Sequence, residues 1–267
     1  MTLPHSITGP AGAPVVLFLH GFMGNGRDWS AVVDRLAGDV RCLTVDLPGH
    51  GGAVGLTEAA YTFPETAAAL AGTLDALGIG RCRVVGYSLG GRLALYFALR
   101  HPGRCTRLVL ESASPGLRTP AERAERRRID AWRAETLAGD FEGFLDRWSR
   151  MPIFRSLGDD ARAAFVAARL GNDPAELARS LRGSGTGQQP SLWEALGDLT
   201  VPTLAVAGAA DPKFADLAFA MSVAGPTVIP MLVSAGHTVH AEQPRLFAAL
   251  VRDFLRDPVS DLHPVLA

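Results

Sequence analysis

The sequence predicts an α/β fold with a mostly parallel sheet that helices cover on both faces. Two observations indicate this class: short apolar runs alternate with helical patterns along the chain, and the runs are apolar almost throughout. Strands of that kind are buried on both faces, as in parallel sheets between two layers of helices. A third observation, a long helical stretch without a strand pattern, indicates an inserted helical cap.

The strands are predicted in chain order from apolar runs bounded by turn residues. Five runs are clear and a sixth is weaker; the clear runs span residues 15–19, 41–45, 83–85, 107–110 and 203–207, and the weaker one spans 227–229. Between the strands, apolar residues recur with helical spacing. These helical stretches include residues 28–37, 64–77 and 91–100.

The alternation breaks at residues 116–190, which are helical in pattern and hold 13 of the 25 arginines together with 11 acidic residues. We therefore predict a core formed by residues 1–115 and 191–257, a helical cap at 116–190 and a C-terminal tail at 258–267. We expect the cap to lie above the carboxyl ends of the strands, where ligands bind in sheets of this class.

The composition is typical of a globular chain, with 267 residues, 48% of them hydrophobic, and a formal net charge of −1. This balance gives no general attraction to nucleic acid or membranes, and no apolar run is long enough to span a bilayer. Cys42, Cys82 and Cys105 lack metal-ligand spacing and predict buried free thiols in a reducing compartment. We expect no signal peptide, no metal or cofactor, and a cytoplasmic location.

The most informative motif is a serine between two glycines, Gly86-Tyr87-Ser88-Leu89-Gly90, which follows an apolar run and opens a helical stretch. In this context it predicts a sharp strand-to-helix turn, a nucleophile elbow, that exposes the serine hydroxyl at the sheet edge. The glycines avoid clashes across the turn, and the free N–H groups of the new helix point to the same place. The alternative interpretation is an ordinary Gly-rich loop.

A serine hydroxyl needs a neighbouring base, most often a histidine that a carboxylate orients. Asp211 follows the strand at 203–207, and His237 follows the weaker run, so both are expected on loops at the same sheet edge as Ser88. The chain order serine, aspartate, histidine suits this architecture. The alternatives are that Asp211 caps a helix and His237 is a loop residue, or that His240 takes its place.

Negative charge that develops near Ser88 would need backbone donors. Gly21 lets the chain turn so that the N–H of Phe22 faces the site, and with the N–H of Leu89 it would form an oxyanion hole. His50, in a loop after the second strand, is interpreted as a structural residue rather than a catalyst.

The cap suggests what the substrate carries. A capping box at Thr119 and Glu122 opens a helix whose apolar face includes Ile129 and Trp132, and Arg126 lies near that face. Arg92, one turn after the elbow, and Arg169 are two further candidates. Guanidinium groups beside a buried serine indicate recognition of carboxylates. The alternative, a solvated charged face, fits most of the other cap arginines.

The chain resembles the α/β-hydrolase superfamily along its length and, within it, the 2-succinyl-6-hydroxy-2,4-cyclohexadiene-1-carboxylate synthases of menaquinone biosynthesis. Generic segments carry the first resemblance, and more specific ones carry the second. The resemblance covers residues 19–24, 46–51, 86–92, 111–117, 122–130, 190–193, 211–214 and 236–240, with Trp148 and residues 152–154. Residues 19–24, 46–51 and the triad are generic to the superfamily. The discriminating features are residues 112–117, the cap arginines and the pattern Asp-x-Lys-Phe at 211–214.

The resemblance implies the α/β-hydrolase fold and a triad of Ser88, Asp211 and His237. It also implies a substrate site lined by Tyr87, Arg92, Arg126, Trp148 and Arg169. The reaction it implies eliminates pyruvate from a cyclohexene that carries several carboxylates. Water is not consumed, no acyl-enzyme is needed, and the serine acts as a general base.

The chain departs from the superfamily in two places: Ala209-Ala210 replaces a turn that often contains glutamate, and the segment before Val15 is short, so we expect a reduced outer strand. Two other functions stay open: a serine hydrolase of esters or vinylogous C–C bonds that works through an acyl-enzyme, and a non-enzymatic receptor. The partner expected is a small anionic carboxylate, with no nucleic acid or membrane, and the chain is expected to be a monomer or weak homo-oligomer.

Overall fold

The computed structural model describes residues 1–256 and contains a seven-stranded sheet with the order β1-β3-β2-β4-β5-β6-β7. All neighbouring strands are parallel except the pair β1–β3, which is antiparallel. The strands are β1 His5–Thr8, β2 Val15–Leu19, β3 Arg41–Val45, β4 Cys82–Tyr87, β5 Cys105–Glu111, β6 Thr203–Gly208 and β7 Val228–Val233.

Ten α-helices accompany the sheet within residues 1–256. They are α1 Ser30–Leu36, α2 Phe63–Ala76, α3 Leu89–Arg100, α4 Pro120–Gly139, α5 Phe141–Ser149, α6 Asp159–Ala167, α7 Pro174–Ser184, α8 Pro212–Ala224, α9 Val239–Glu242 and α10 Pro244–Leu255. Four short 3-10 helices lie at Gly26–Trp29, Glu58–Tyr61, Pro152–Phe154 and Glu194–Asp198. None of the helices in residues 1–256 is long and apolar enough to cross a membrane.

The sheet has an apolar layer on each face, as the unbroken apolar runs predict. Residues of α2, α3 and α8 pack on one face around Leu17, Val84 and Leu108. Residues of α1 and α10 pack on the other face around Phe18 and Val109. Because alternate residues of one strand fill opposite layers, the central strands need apolar side chains at nearly every position.

The structure differs from the sequence prediction at both ends of the sheet. The expected reduction of the outer strand takes the form of β1, a four-residue strand whose side chains are mostly exposed, so its sequence has no apolar run. The weak run at 227–229 is the start of the six-residue edge strand β7, which contains Pro230. Proline is tolerated on an edge strand because its missing N–H faces no partner there.

Helices α4 to α7 lie in the chain between β5 and β6, and they have a small apolar core of their own. It includes Ala134, Leu137, Phe144, Leu145, Leu177 and Leu181, together with Met23 from the loop after β2. This arrangement supports the proposed division into core and cap. Residue 257, the predicted end of the core, and the predicted tail at 258–267 lie outside the described residues.

Candidate active site

Ser88 lies at the junction of β4 and α3, with backbone angles φ 49° and ψ −106°. Its N–H donates to the carbonyl of Glu111 at 2.8 Å, which fixes the turn to the neighbouring strand. A Cβ on Gly86 would lie 2.5 Å from the carbonyl oxygen of Gly90, and one on Gly90 would lie 2.1 Å from that of Leu19. Both glycines are therefore required by close backbone approach, as the motif predicts.

The structure brings His237 and Asp211 to Ser88. His237 Nδ1 lies 2.6 Å from Asp211 Oδ2, and His237 Nε2 lies 3.4 Å from Ser88 Oγ. Both partners of the short contact are buried, with side chains 2% and 3% exposed. We assign the Nδ1 proton to the bond with Asp211, since a carboxylate only accepts, which leaves Nε2 free to accept a proton from Ser88.

Three neighbours hold the histidine loop in place. Ser112 Oγ donates to the carbonyl of His237 at 2.8 Å, and the carboxylate of Glu242 accepts from the N–H of Gly236 at 2.9 Å. The ring of Phe214 packs edge-on against His237, with centroids 4.6 Å apart. The imidazole is thus oriented by its loop and its aromatic neighbour as well as by Asp211.

The other candidate histidines have different partners. His240 is bound to the buried carboxylate of Glu111 through both its backbone N–H at 3.0 Å and its ring Nδ1 at 2.9 Å. His50 is buried beside His20 and Phe22, with its ring 5.0 Å and 5.7 Å from theirs. Neither His240 nor His50 lines the cleft that contains Ser88.

The proposed backbone donors belong to residues that line the same cleft, Phe22 and Leu89. Leu89 is the first residue of α3, so no preceding turn supplies a carbonyl for its N–H. A Cβ on Gly21 would lie 2.5 Å from the ring of Tyr87, so a glycine is needed for the loop after β2 to approach the elbow.

The cleft between core and cap has a volume of about 320 Å³, and Ser88, His237, Arg92, Arg126 and Trp148 line it. No aspartate or glutamate is among the described residues that form its wall. Arg126 Nε donates to the buried Asp130 at 2.8 Å, on the same helix α4. The cleft is therefore positively charged.

Arg92 reaches the cleft from α3 and donates to the carbonyl of Ser184 at 3.2 Å and to Gln189 Oε1 at 3.4 Å. Neither partner carries a charge. Burial and the positive charge of Arg126 lower the pKa of the Arg92 guanidinium, although arginine stays protonated at neutral pH. Arg92 is thus a desolvated cation without an anionic partner in the described chain, and a bound carboxylate would supply one.

Two predicted substrate residues lie elsewhere. Arg169 pairs with Asp28 at 3.4 Å and stacks on Phe165, with its guanidinium carbon 3.6 Å from the ring centroid. Arg169 and Tyr87 line a neighbouring cavity of about 590 Å³, on the side of His240 rather than of Ser88. Contact of these two residues with the substrate remains a prediction, because the structure does not bring them into the cleft with Arg92 and Arg126.

Two further cations line the cleft that were not among the site residues predicted from the sequence: Arg133 and Lys213. Arg133 lies 3.8 Å from Asp130 and 5.6 Å from the ring centroid of Trp148. Helical spacing could have indicated Arg133, because it follows Arg126 by seven residues and so lies on the same face of α4. Lys213 follows Asp211 by two residues, at the start of α8.

Comparisons with known proteins support the fold and show the family. A family model described as the alpha/beta hydrolase fold matches residues 14–218. A relative from Bacillus subtilis (strain 168) is 39% identical over 253 residues, which cover 92% of each chain. The 2-succinyl-6-hydroxy-2,4-cyclohexadiene-1-carboxylate synthase of Enterobacter sp. (strain 638) is 37% identical over 95% of this chain and 96% of its own.

A solved structure, that of MenH from S. aureus, is similar throughout. It superposes with a TM-score of 0.89 at 33% sequence identity and covers 96% of this chain and 98% of its own. The α/β-hydrolase fold predicted from the sequence is thereby confirmed. With this degree of identity over nearly its whole length, the chain belongs to the α/β-hydrolase superfamily and, within it, to the family of 2-succinyl-6-hydroxy-2,4-cyclohexadiene-1-carboxylate synthases.

Proposed function

We propose that this protein is a carbon–oxygen lyase that eliminates pyruvate from 2-succinyl-5-enolpyruvyl-6-hydroxy-3-cyclohexene-1-carboxylate. The product is 2-succinyl-6-hydroxy-2,4-cyclohexadiene-1-carboxylate, as named for the Enterobacter relative. The observation that carries the proposal is a Ser88–His237–Asp211 arrangement that opens on a cleft whose wall, in residues 1–256, contains cations and no carboxylate. Such a cleft suits a substrate that carries several carboxylates.

In this mechanism Ser88 acts as a general base. His237 Nε2 accepts the proton of Ser88 Oγ, and the alkoxide removes the ring proton beside the succinyl carbonyl. The electron pair of that C–H bond moves into the ring, a second double bond forms, and the bond from ring carbon to enol oxygen breaks. Enolpyruvate leaves and becomes pyruvate, a proton returns through His237, and no water is consumed.

Backbone N–H groups are proposed to stabilise the negative charge that develops during the reaction. Charge develops on the succinyl oxygen when the ring proton leaves, and the N–H groups of Phe22 and Leu89 are the proposed donors to that oxygen. Asp211 keeps His237 in the tautomer that accepts at Nε2 and stabilises the imidazolium that forms. Arg92 and Arg126 hold substrate carboxylates, so the ring proton is positioned against Ser88.

The first experiment is a pyruvate assay with the purified protein and the cyclohexene substrate. We expect pyruvate release at an enzymatic rate, and release no faster than background would overturn the proposal. Arg92→Ala should raise KM by about 10- to 100-fold, as for a lost charge-assisted bond. The control is Arg128→Ala, which removes the same charge from an exposed position on α4 and should behave as the unmodified protein does.

We also propose that the protein works in the cytoplasm, as a monomer or weak homo-oligomer, without a nucleic-acid partner. The formal net charge of −1 supports the last point, because it provides no attraction to a polyanion outside the cleft. Sedimentation at micromolar concentration tests the oligomeric state, and a stable larger assembly would contradict it.

A further inference from the structure

Lys213 is distinctive in the sequence as well as in the fold. It is the only lysine in 267 residues, and the sequence has 25 arginines. Arginine would therefore be the expected residue at any basic position of this chain. A lysine has a more compact charge on a more flexible stem, so the two residues are not equivalent at a binding site.

Its place in the fold is next to the reacting groups. Lys213 stands in the first turn of α8, two residues after Asp211, and it lines the cleft with Ser88 and His237. The following residue, Phe214, packs on the ring of His237, and the Lys213 ammonium lies 5.4 Å from the Phe214 ring centroid. No carboxylate pairs with Lys213 in residues 1–256.

The cations of the cleft exceed the acids that neutralise them. Arg92, Arg126, Arg133 and Lys213 line the cavity, and the one carboxylate paired with any of them is Asp130, behind Arg126 and Arg133. Asp130 therefore pairs with two of the four cations, and Asp211, which is bonded to His237, attracts Lys213 without forming an ion pair with it. Partial burial and repulsion from Arg126 and Arg133 lower the pKa of Lys213, and they outweigh the opposing attraction of Asp211.

We propose that Lys213 binds one carboxylate of the substrate and so makes the cleft specific for a tricarboxylate. The inference rests on the proposed function, whose substrate carries one carboxylate on the ring, one on the succinyl group and one on the enolpyruvyl group. Arg92 and Lys213, which form no ion pair among the described residues, would each gain a carboxylate partner, and the third carboxylate would face Arg126 and Arg133. Arg92 and the pair Arg126–Arg133 enclose the cleft from α3 and α4, and Lys213 completes it from α8.

Kinetics of Lys213 variants test the proposal. Lys213→Ala should raise KM for the cyclohexene substrate by about 10- to 100-fold, with a much smaller change in kcat. Lys213→Arg should recover most of the loss because it keeps the charge, and Lys213→Gln should not. Arg128→Ala is again the matched control for one lost charge. A KM for Lys213→Ala equal to that of the unmodified protein would overturn the proposal and leave pyruvate elimination standing.

A second readout does not depend on catalysis. Because Lys213 is the only lysine side chain, trinitrobenzenesulfonate labels one ε-amino group, and Lys213→Arg protein corrects for any other amine. Propane-1,2,3-tricarboxylate should slow this labelling at concentrations where acetate does not. Equal labelling with both anions would overturn the role of Lys213. Protection by the tricarboxylate in a protein that releases no pyruvate would support the role of Lys213 and overturn the proposed function instead.

Discussion

At the scale of single residues, the backbone of Ser88 is held in a region that side chains rarely adopt, with φ 49°. Such a conformation costs on the order of 1–3 kcal/mol and persists because surrounding contacts impose it. Here the N–H of Ser88 is bound to Glu111 and its carbonyl accepts from the N–H of Arg92 at 3.0 Å. The cost is offset by a fixed position for Oγ in front of His237.

A pair of substitutions separates strain from chemistry. Ser88→Gly should raise the free energy of unfolding by about 1 kcal/mol, because glycine adopts this conformation without strain. Ser88→Ala should leave stability nearly unchanged. Both should reduce pyruvate release by about a thousandfold, as expected for loss of a general base. Denaturant unfolding and the pyruvate assay check this, and pyruvate release by either variant near the normal rate would contradict the role of Ser88.

Buried histidines make the fold sensitive to acid. Burial lowers the pKa of His50 from 6.5 to about 3, and its ring packs against His20 and Phe22. The unfolded chain therefore binds a proton that the folded chain does not, and stability that is present above pH 6.5 is lost as the pH falls toward 3. Between pH 6.5 and 4.5 this group alone should remove about 2 kcal/mol from the free energy of unfolding.

Unfolding of His50→Phe across that range checks the effect. The variant should lose less stability on acidification than the unmodified protein does, by about 2 kcal/mol. His5→Gln, at an exposed position on β1, is the control and should keep the full loss. Parallel curves for all three proteins would show that His50 does not cause the acid sensitivity.

At the scale of elements, the junction between β4 and α3 depends on the close approach of three backbone segments. Gly90→Ala would place a methyl group 2.1 Å from the carbonyl oxygen of Leu19, and backbone atoms cannot move aside as a side chain can. We expect a loss of about 3 kcal/mol or more in the free energy of unfolding. Gly12→Ala is the control, since a Cβ there would meet no atom within 4 Å. Equal stability of the two variants would contradict this packing.

The sequence predicts the strands that place the triad, because each of these strands has a clear apolar pattern or lies beside one that does. Ser88, Asp211 and His237 each follow a strand that is apolar at almost every position, and parallel strands end at one edge. A reduced outer strand is expected, but the bounds of β1 could not be predicted because an edge strand with exposed side chains needs no apolar run. The position of Arg169 is missed because the carboxylate that pairs with it, Asp28, is 141 residues away in the chain.

At the scale of the whole molecule, the cap is tied to the core through α7. The hydroxyl of Tyr61 donates to the carboxylate of Glu176, and Arg179 pairs with both Glu58 and Glu176 at 2.9 Å. The carbonyl of Ser184, at the end of the same helix, accepts from Arg92 in the cleft. The position of one cleft arginine is thus connected to the contact between cap and core.

Tyr61→Phe tests that connection. It removes the donor to Glu176, and we expect a loss of about 1–2 kcal/mol in the free energy of unfolding together with a higher KM. Tyr96→Phe is the matched control, because the hydroxyl of Tyr96 has no hydrogen-bond partner in residues 1–256. Calorimetry and the pyruvate assay give the two readouts. A Tyr61→Phe protein with normal stability would show that this bond does not hold the cap.

The charge of the cleft is a property of the assembled molecule. Within the cap, 13 arginines and 11 acids nearly cancel, so composition does not reveal that four cations from α3, α4 and α8 converge on one cavity. The sequence could indicate Arg92 and Arg126 from their helical positions. It marks Lys213 only as part of the segment 211–214 that carries the family resemblance, because the cleft neighbours of Lys213 come from α4, about 80 residues earlier in the chain.

The central claim is that Ser88 removes a proton and no water enters the products. Turnover of the cyclohexene substrate in water enriched in oxygen-18, with mass spectrometry of the products, tests it most directly. Elimination predicts pyruvate and 2-succinyl-6-hydroxy-2,4-cyclohexadiene-1-carboxylate in equal amounts, with no label in any carboxylate. A hydrolase that works through an acyl-enzyme on Ser88 would place one labelled oxygen in a new carboxylate, and that result would contradict the account.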